Sequence, residues 1–199
     1  MPPERSGPGR PSSGGGERVL AAALEVLKAD GYAGLTTAKV AARSGQNKAL
    51  ISYHFGSKQG LVAEAARAVS GAITDELLRA IGEPRDVGAL ARRVVDGVAG
   101  LGQRDKGLPR MYFDLAAHAI VEPEVRAIMA EMKAGFRGVM RQQLARVSDG
   151  PRSSEAAEAA AVYMVACLEG LMLEQVERGE TPALARARSL FVDSAAAIT

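Results

Sequence analysis

From Glu17 onward the apolar residues of this chain recur at spacings of three and four, and no stretch shows the sustained alternation that a half-buried strand requires. Leu20, Ala23, Leu24 and Leu27 are the first instance, at i, i+3, i+4 and i+7, and predict one buried helix face. Valine and isoleucine are scattered at helical spacing, and aromatic residues make up only 4% of the 199, so little is available to build a sheet core. Turn chemistry punctuates the pattern. Gly31 suits the C-cap of a first helix, Thr36 and Thr37 the start of a second, Asn47 the N-cap of a third ending near Tyr53, and Ser57 the N-cap of a long fourth from Lys58 to about residue 80. Later breaks fall at Gly82-Glu83-Pro84, Gly102 to Gly107, Glu122-Pro123, Asp149-Gly150-Pro151 and Gly179 to Pro182. They leave helices over about 86–101, 109–120, 123–147, 154–178 and 183–197. The expected class is all-α, with about nine helices.

Composition narrows the function. At 47% hydrophobic and 24% charged, the chain has the apolar content to bury a core and is not a wholly disordered one. The single cysteine, Cys167, excludes an internal disulfide and any Cys-x-x-Cys motif, and with two histidines, His54 and His118, no metal or cofactor is expected. Residues 1–16 are rich in proline, glycine and serine and lack the apolar stretch of a signal peptide, so they are expected to form a flexible tail. No apolar run is expected to cross a bilayer, and the expected location is the cytoplasm. The net charge of +2 conceals an asymmetry, because residues 1–60 carry +4 and the remainder −2. A basic first third suggests either a localised polyanion contact or a solvated basic face.

Within that basic third, two short helices flank a turn at Ser44-Gly45-Gln46, and Ala41 and Gly45, four apart, are expected to let them approach closely, as in a helix-turn-helix. The segments Leu35-Thr36-Thr37-Ala38-Lys39-Val40-Ala41, Ser44-Gly45 and Ile51-Ser52-Tyr53-His54-Phe55-Gly56-Ser57-Lys58 strongly resemble the DNA-binding domain of TetR-family transcriptional regulators. In detail the resemblance covers residues 17–65. It implies a helix-turn-helix domain over residues 17–62 and a larger helical effector-binding and dimerisation domain over 63–199.

The resemblance also implies roles for individual residues. Asn47 to Tyr53 would form a recognition helix about 10 Å long, a fit to a major groove. Lys48 would donate to guanine acceptors, and Ala49 or Leu50 would touch a thymine methyl. Thr37, Tyr53, His54 and Lys58 would hold phosphates, fixing position and affinity without reading sequence. Two positions depart from the family pattern. Ser52 stands where tyrosine is frequent, with Tyr53 beside it able to take over the contact, and Gln46 stands where an apolar residue is frequent. Gln46 is then either a surface residue or an additional polar contact to DNA. His54 is open between a phosphate bond and a packing role that orients the clamp. Phe55, Ile51, Val40 and Leu35 are expected in a small core, Tyr32 in packing or backbone support, and Lys39 and Arg43 on a solvated face, with a phosphate contact as the lesser alternative.

For the larger domain, the resemblance implies that the last two helices pair with those of a second subunit. Ala160, Tyr163, Leu171, Leu184, Leu190 and Phe191 lie on apolar faces suited to that interface or, equally, to an internal core. An effector cavity between the central helices is expected from Met111, Tyr112, Asp114, His118, Met132, Phe136, Met140, Met164 and Cys167, although methionines and aromatics at helical spacing also serve ordinary cores. Asp114 and His118, four apart, are placed to bond each other or a ligand.

Catalytic signatures are missing. There is no Gly-x-Ser-x-Gly elbow and no His-Glu-x-x-His, and Leu108 stands where a phosphate loop at Gly102–Gly107 needs lysine. The expectation is a homodimeric regulator and not an enzyme, acting on a double-stranded DNA operator and answering to a small-molecule effector, more a repressor than an activator. The competing classes are a ligand carrier or a protein-interaction module on the same fold without autonomous DNA binding.

Overall fold

The computed structural model describes residues 14–147 and 154–197, and among these there are nine α-helices and no strand. The tail arginines Arg5 and Arg10 and the break at 149–151 lie outside the described residues. The chain divides into two compact units, with the boundary between Ala65 and Ala66.

The first unit contains α1 (Gly14–Gly34), α2 (Thr37–Ser44), α3 (Lys48–Phe55) and the opening turns of α4 (Lys58–Ile81). α1 begins three residues earlier than the composition of residues 1–16 suggests. Gly15 is buried, and a Cβ placed on it would lie 3.1 Å from Leu50 Cδ2, so tertiary packing against α3 overrides the poor helix propensity of three glycines. The helix bends at Gly31, the expected end of its main run, which has φ 70°. Its buried face is Val19, Ala22, Ala23, Val26 and Leu27, one position round from the predicted stripe, so Leu20 and Leu24 are only half-buried. Both stripes have helical spacing, and only packing against α2 and α3 decides between them.

The predicted caps are in place. Thr36 Oγ1 accepts from the Lys39 amide at 3.2 Å, Asn47 Oδ1 from the Leu50 amide at 2.7 Å, and Ser57 Oγ from the Gly60 amide at 3.0 Å. Gly45 has a different role from the one its spacing suggests. It ends α2 at φ 66°, in the left-handed region, and nothing lies within 4 Å of where its Cβ would be. Glycine is needed there for its backbone conformation, not for close helix approach. Close approach occurs at Gly60, where a Cβ would fall 2.1 Å from the Phe55 carbonyl oxygen. Leu35, Val40, Ile51, Leu61 and Val62 complete this small core, with Phe55 half-buried at its edge.

The second unit holds the rest of α4 with α5 (Val87–Arg104), α6 (Gly107–Val121), α7 (Pro123–Val147), α8 (Ser154–Arg178) and α9 (Pro182–Ala196). α5 packs on α7, α8 and α9, and α6 packs on α7 and α8. One cluster, including Leu90, Val94, Leu144, Ala161, Met164 and Phe191, forms the core. Asp86 and Thr181 cap α5 and α9 through bonds to Ala89 N at 2.6 Å and Leu184 N at 3.1 Å. Contrary to the expectation that no run suffices, α8 is long and apolar enough to cross a membrane by length and composition, with a mean hydropathy of 1.6 over 18 residues. Alanines, a glycine and a glutamate interspersed among the apolar residues of α8 mask this run in the sequence; Ala160, Ala161, Met164, Val165 and Leu168 on this helix are core residues of the unit.

Candidate nucleic-acid interface and ligand cavity

On α3 the exposed residues are Lys48, Ala49, Ser52, Tyr53 and His54, while Ile51 is buried. Positions 48, 49, 52 and 53 share one helix face, and Tyr53 is 75% exposed on it. This face presents a cation, a methyl, a hydroxyl and a phenol, the groups that base edges and phosphates can accept or be touched by. Leu50, predicted to reach a thymine methyl, turns the other way and is half-buried against Gly15. His54 also lies beside α1, with its ring 3.8 Å from the position a Gly16 Cβ would take, and it meets Tyr53 edge-on at 5.3 Å. Packing therefore accounts for one side of His54, while the residue remains exposed overall.

Gln46 and Thr37 are half-buried, and Asn47 spends its side chain on capping α3. With its amide oxygen turned to α1, Gln46 accepts from Arg18 Nε at 3.2 Å and Nη2 at 3.1 Å. That partnership between helices is neither of the two roles its sequence position left open.

Five of the cations of this unit fall into two groups. Lys39 is paired with Asp30 at 2.9 Å and Arg43 with Glu25 at 3.6 Å, so the charge of the α2 surface is largely matched locally. Among the described residues, Lys48, Lys58 and Arg18 have no carboxylate at ion-pair distance. The Lys58 ammonium instead sits 4.0 Å from the centroid of the Tyr32 ring. Tyr32 is 4% exposed, so it is both a core residue and a platform for that charge.

In the second unit a cavity of about 110 Å³ is walled by α4, α5, α6, α7 and α8. Of the nine residues predicted for an effector pocket, Tyr112, Phe136 and Met140 line it. Met111, Met132 and Met164 are core residues, and Cys167 is half-buried against the core cluster. Asp114 and His118 are outside the wall as well. His118 Nε2 is 3.9 Å from Asp114 Oδ1, within ion-pair reach, and His118 Nδ1 bonds Glu122 Oε1 at 2.9 Å, just past the end of α6.

The polar end of the cavity was missed by sequence reasoning. Glu169 lines the wall, its Oε1 accepts from the Tyr112 hydroxyl, and its Oε2 is 3.0 Å from Lys133 Nζ. Burial, reinforced by the hydrogen bond to Glu169 and by its charge, pushes the Tyr112 phenol well above the usual tyrosine range, so this hydroxyl remains a donor. A signal was present in the sequence, for Glu169 is a lone carboxylate within the apolar run from Val162 to Leu173.

The residues predicted for a subunit interface separate by burial. Ala160, Leu184 and Phe191 are at most 5% exposed inside the unit and have no surface left for a partner. Leu171 is half-buried against the core cluster. Tyr163 and Leu190 are 38% and 53% exposed, with Val162, Leu173 and Val176 also exposed on α8. Tyr163 Oη and Ser194 Oγ, 2.6 Å apart, join α8 to α9 on this surface.

Comparison with known proteins agrees with this architecture. The model for bacterial regulatory proteins of the tetR family matches residues 19–65, and the model for the BetI-type transcriptional repressor C-terminal domain matches residues 87–199, more than half of the chain. The chain belongs to the TetR family. Nucleoid occlusion factor SlmA of Citrobacter koseri is 26% identical to it over 170 residues, covering 82% of this chain and 83% of that protein. A putative TetR-family regulator from Rhodococcus sp. shares the fold with a TM-score of 0.77 at 19% identity, over 94% of this chain and 98% of that one. A putative transcriptional regulator from Saccharomonospora viridis, in complex with choline, superposes with a TM-score of 0.71 at 17% identity, over 92% and 95%.

As a TetR-family transcriptional regulator, the chain carries the family's N-terminal DNA-binding domain over residues 19–65 and its C-terminal domain over residues 87–199. The carrier and interaction-module alternatives are not favoured by these matches.

Proposed function

We propose that this TetR-family protein is a homodimeric repressor that binds a two-fold symmetric operator and is released from it by a small molecule held in the α4–α8 cavity. The observation that carries this reading is the charge pattern of the first unit. Lys39 and Arg43 are matched by acidic groups, whereas Lys48 and Lys58, at the starts of α3 and α4, are left for an external anion. In this reading Lys48, Ala49, Ser52 and Tyr53 meet base edges and backbone in the major groove, while Lys58, Thr37 and His54 hold phosphates. Tyr163 and Leu190 supply exposed apolar contacts to a second subunit, and the match to a BetI-type repressor domain supports repression over activation.

Release works by population shift, because an effector that prefers a conformation unsuited to DNA lowers operator affinity by the ratio of its two affinities. α4 is suited to carry the change, since Lys58 lies in its first turn and Ile73, Thr74 and Leu77 further along it line the cavity. The choline bound to the Saccharomonospora regulator supports small-molecule occupancy of this fold.

The test is selection from a random duplex pool, with enriched sequences rebound at two salt concentrations. Enrichment of a palindromic site with half-sites one helical turn apart, and a steep salt dependence, is the expected result. A well-folded dimer that enriches nothing sinks the reading.

A further inference from the structure

We propose that the cavity admits an uncharged, mainly apolar molecule with one hydrogen-bond donor, of the size of a monocyclic phenol, and that Lys133 sets this charge selection. The proposal rests on the effector reading above and adds the chemical class of the ligand.

The wall is apolar except at one end. Its ionisable residues are Glu169 and Tyr112, and no lysine, arginine or histidine lines it. An anionic ligand would therefore meet a carboxylate and no cation, with its own desolvation uncompensated. A cationic ligand fares little better. The Glu169 charge is already matched by Lys133, whose Nζ lies 3.0 Å from Oε2 and which is not itself a wall residue. A bound cation would leave Glu169, Lys133 and ligand with a net positive charge against apolar walls. The other cation that acts on Tyr112, Arg137, is engaged with Glu158 at 3.4 Å.

A neutral donor escapes both penalties. Each carboxylate oxygen has two acceptor directions, and Tyr112 and Lys133 use one on each, so Glu169 retains capacity for a ligand O–H or N–H. Volume sets the size. The cavity is about 110 Å³, smaller than the apolar cavity of about 150 Å³ that holds benzene, and it opens to solvent, so about one ring is the most that it buries, with the rest of a ligand at the opening.

The experiment is calorimetric titration of the full chain at neutral pH with three probes of similar shape: 4-ethylphenol, 4-methylbenzoate and benzyltrimethylammonium. The wild-type protein is expected to bind the phenol at least tenfold more tightly than either ion. Lys133→Met exposes the Glu169 charge and should make the ammonium probe the preferred one. Glu169→Gln in the same background should abolish that gain, which a general loosening of the fold would not do. A wild-type preference for either ion, no binding of any probe, or an unchanged ranking in a folded Lys133→Met protein overturns the proposal. Addition of the phenol to the selected duplex separates the two readings, because binding in the cavity without any loss of DNA affinity overturns the effector role and leaves the charge selection intact.

Discussion

With its amide oxygen turned to α1, Gln46 accepts two hydrogen bonds from the guanidinium of Arg18, at 3.2 and 3.1 Å, and so ties the first helix to the entrance of α3. Arg18 is exposed and has no carboxylate partner among the described residues, so the fork fixes a cation beside the helix that presents Lys48. Arg18→Ala is expected to weaken binding to all duplexes and to lower the salt slope by about 1. Gln46→Val keeps the charge but releases the fork, and should cost affinity with the salt slope unchanged. Fluorescence anisotropy over a salt series measures both, and an Arg18→Ala slope equal to the parent's would remove Arg18 from the interface.

Two lysines of the same unit should behave differently. Lys58→Ala is expected to reduce affinity for every sequence and to take about 1 from the salt slope. Lys39→Ala should leave the slope nearly unchanged, because the Asp30 carboxylate at 2.9 Å already neutralises Lys39. Tyr32→Leu, which removes the ring beneath Lys58, should produce a milder form of the Lys58→Ala defect. Equal effects of the two alanine variants would contradict the division of cations.

Base reading is assigned to the exposed face of α3, so Lys48→Ala should change which sequences a random pool yields, whereas Leu50→Ala should not. Leu50 faces Gly15, and its truncation should instead lower stability. A Leu50→Ala protein with altered base preference and parental melting temperature would reverse that assignment.

Gly60→Ala places a methyl against the Phe55 carbonyl oxygen and should cost ~3 kcal/mol, which lowers Tm by roughly 6–12 °C. Gly45→Ala forces a left-handed conformation on alanine in open space and should cost about 1–2 kcal/mol. Calorimetric melting of both variants gives the comparison, and a Gly45 variant less stable than the Gly60 variant would contradict it.

Leu190→Asp should convert the dimer to monomer in sedimentation velocity and weaken operator binding, since Leu190 is 53% exposed and its loss removes no core packing. Phe191→Asp, one residue on, should unfold the second unit instead. A dimeric Leu190→Asp protein would place the subunit contact elsewhere.

What the sequence made legible was local. Caps at Thr36, Asn47 and Ser57 can be read because their partners lie three residues away. The helices of the second unit can be read because proline and glycine mark their ends. Contacts across helices were not legible. Both stripes of α1 have helical period, so Leu20 and Leu24 were placed inside although Val19 and Val26 are the buried pair. Phe191 and Leu190 are adjacent and equally apolar, and only packing makes one core and the other surface. Glu169, Lys133 and Tyr112 come from three different helices, so spacing along one of them cannot reveal the polar end of the cavity.

The seam between Gly15 and Leu50 bears on how such chains diverge. Because bare backbone backs α3 there, residue 15 acts as a spacer whose thickness is set by one side chain. Homologous chains with alanine or serine at this position should carry a smaller residue at the counterpart of Leu50. Lineages that lost this compensation would present a tilted α3 with no change in any residue of its exposed face.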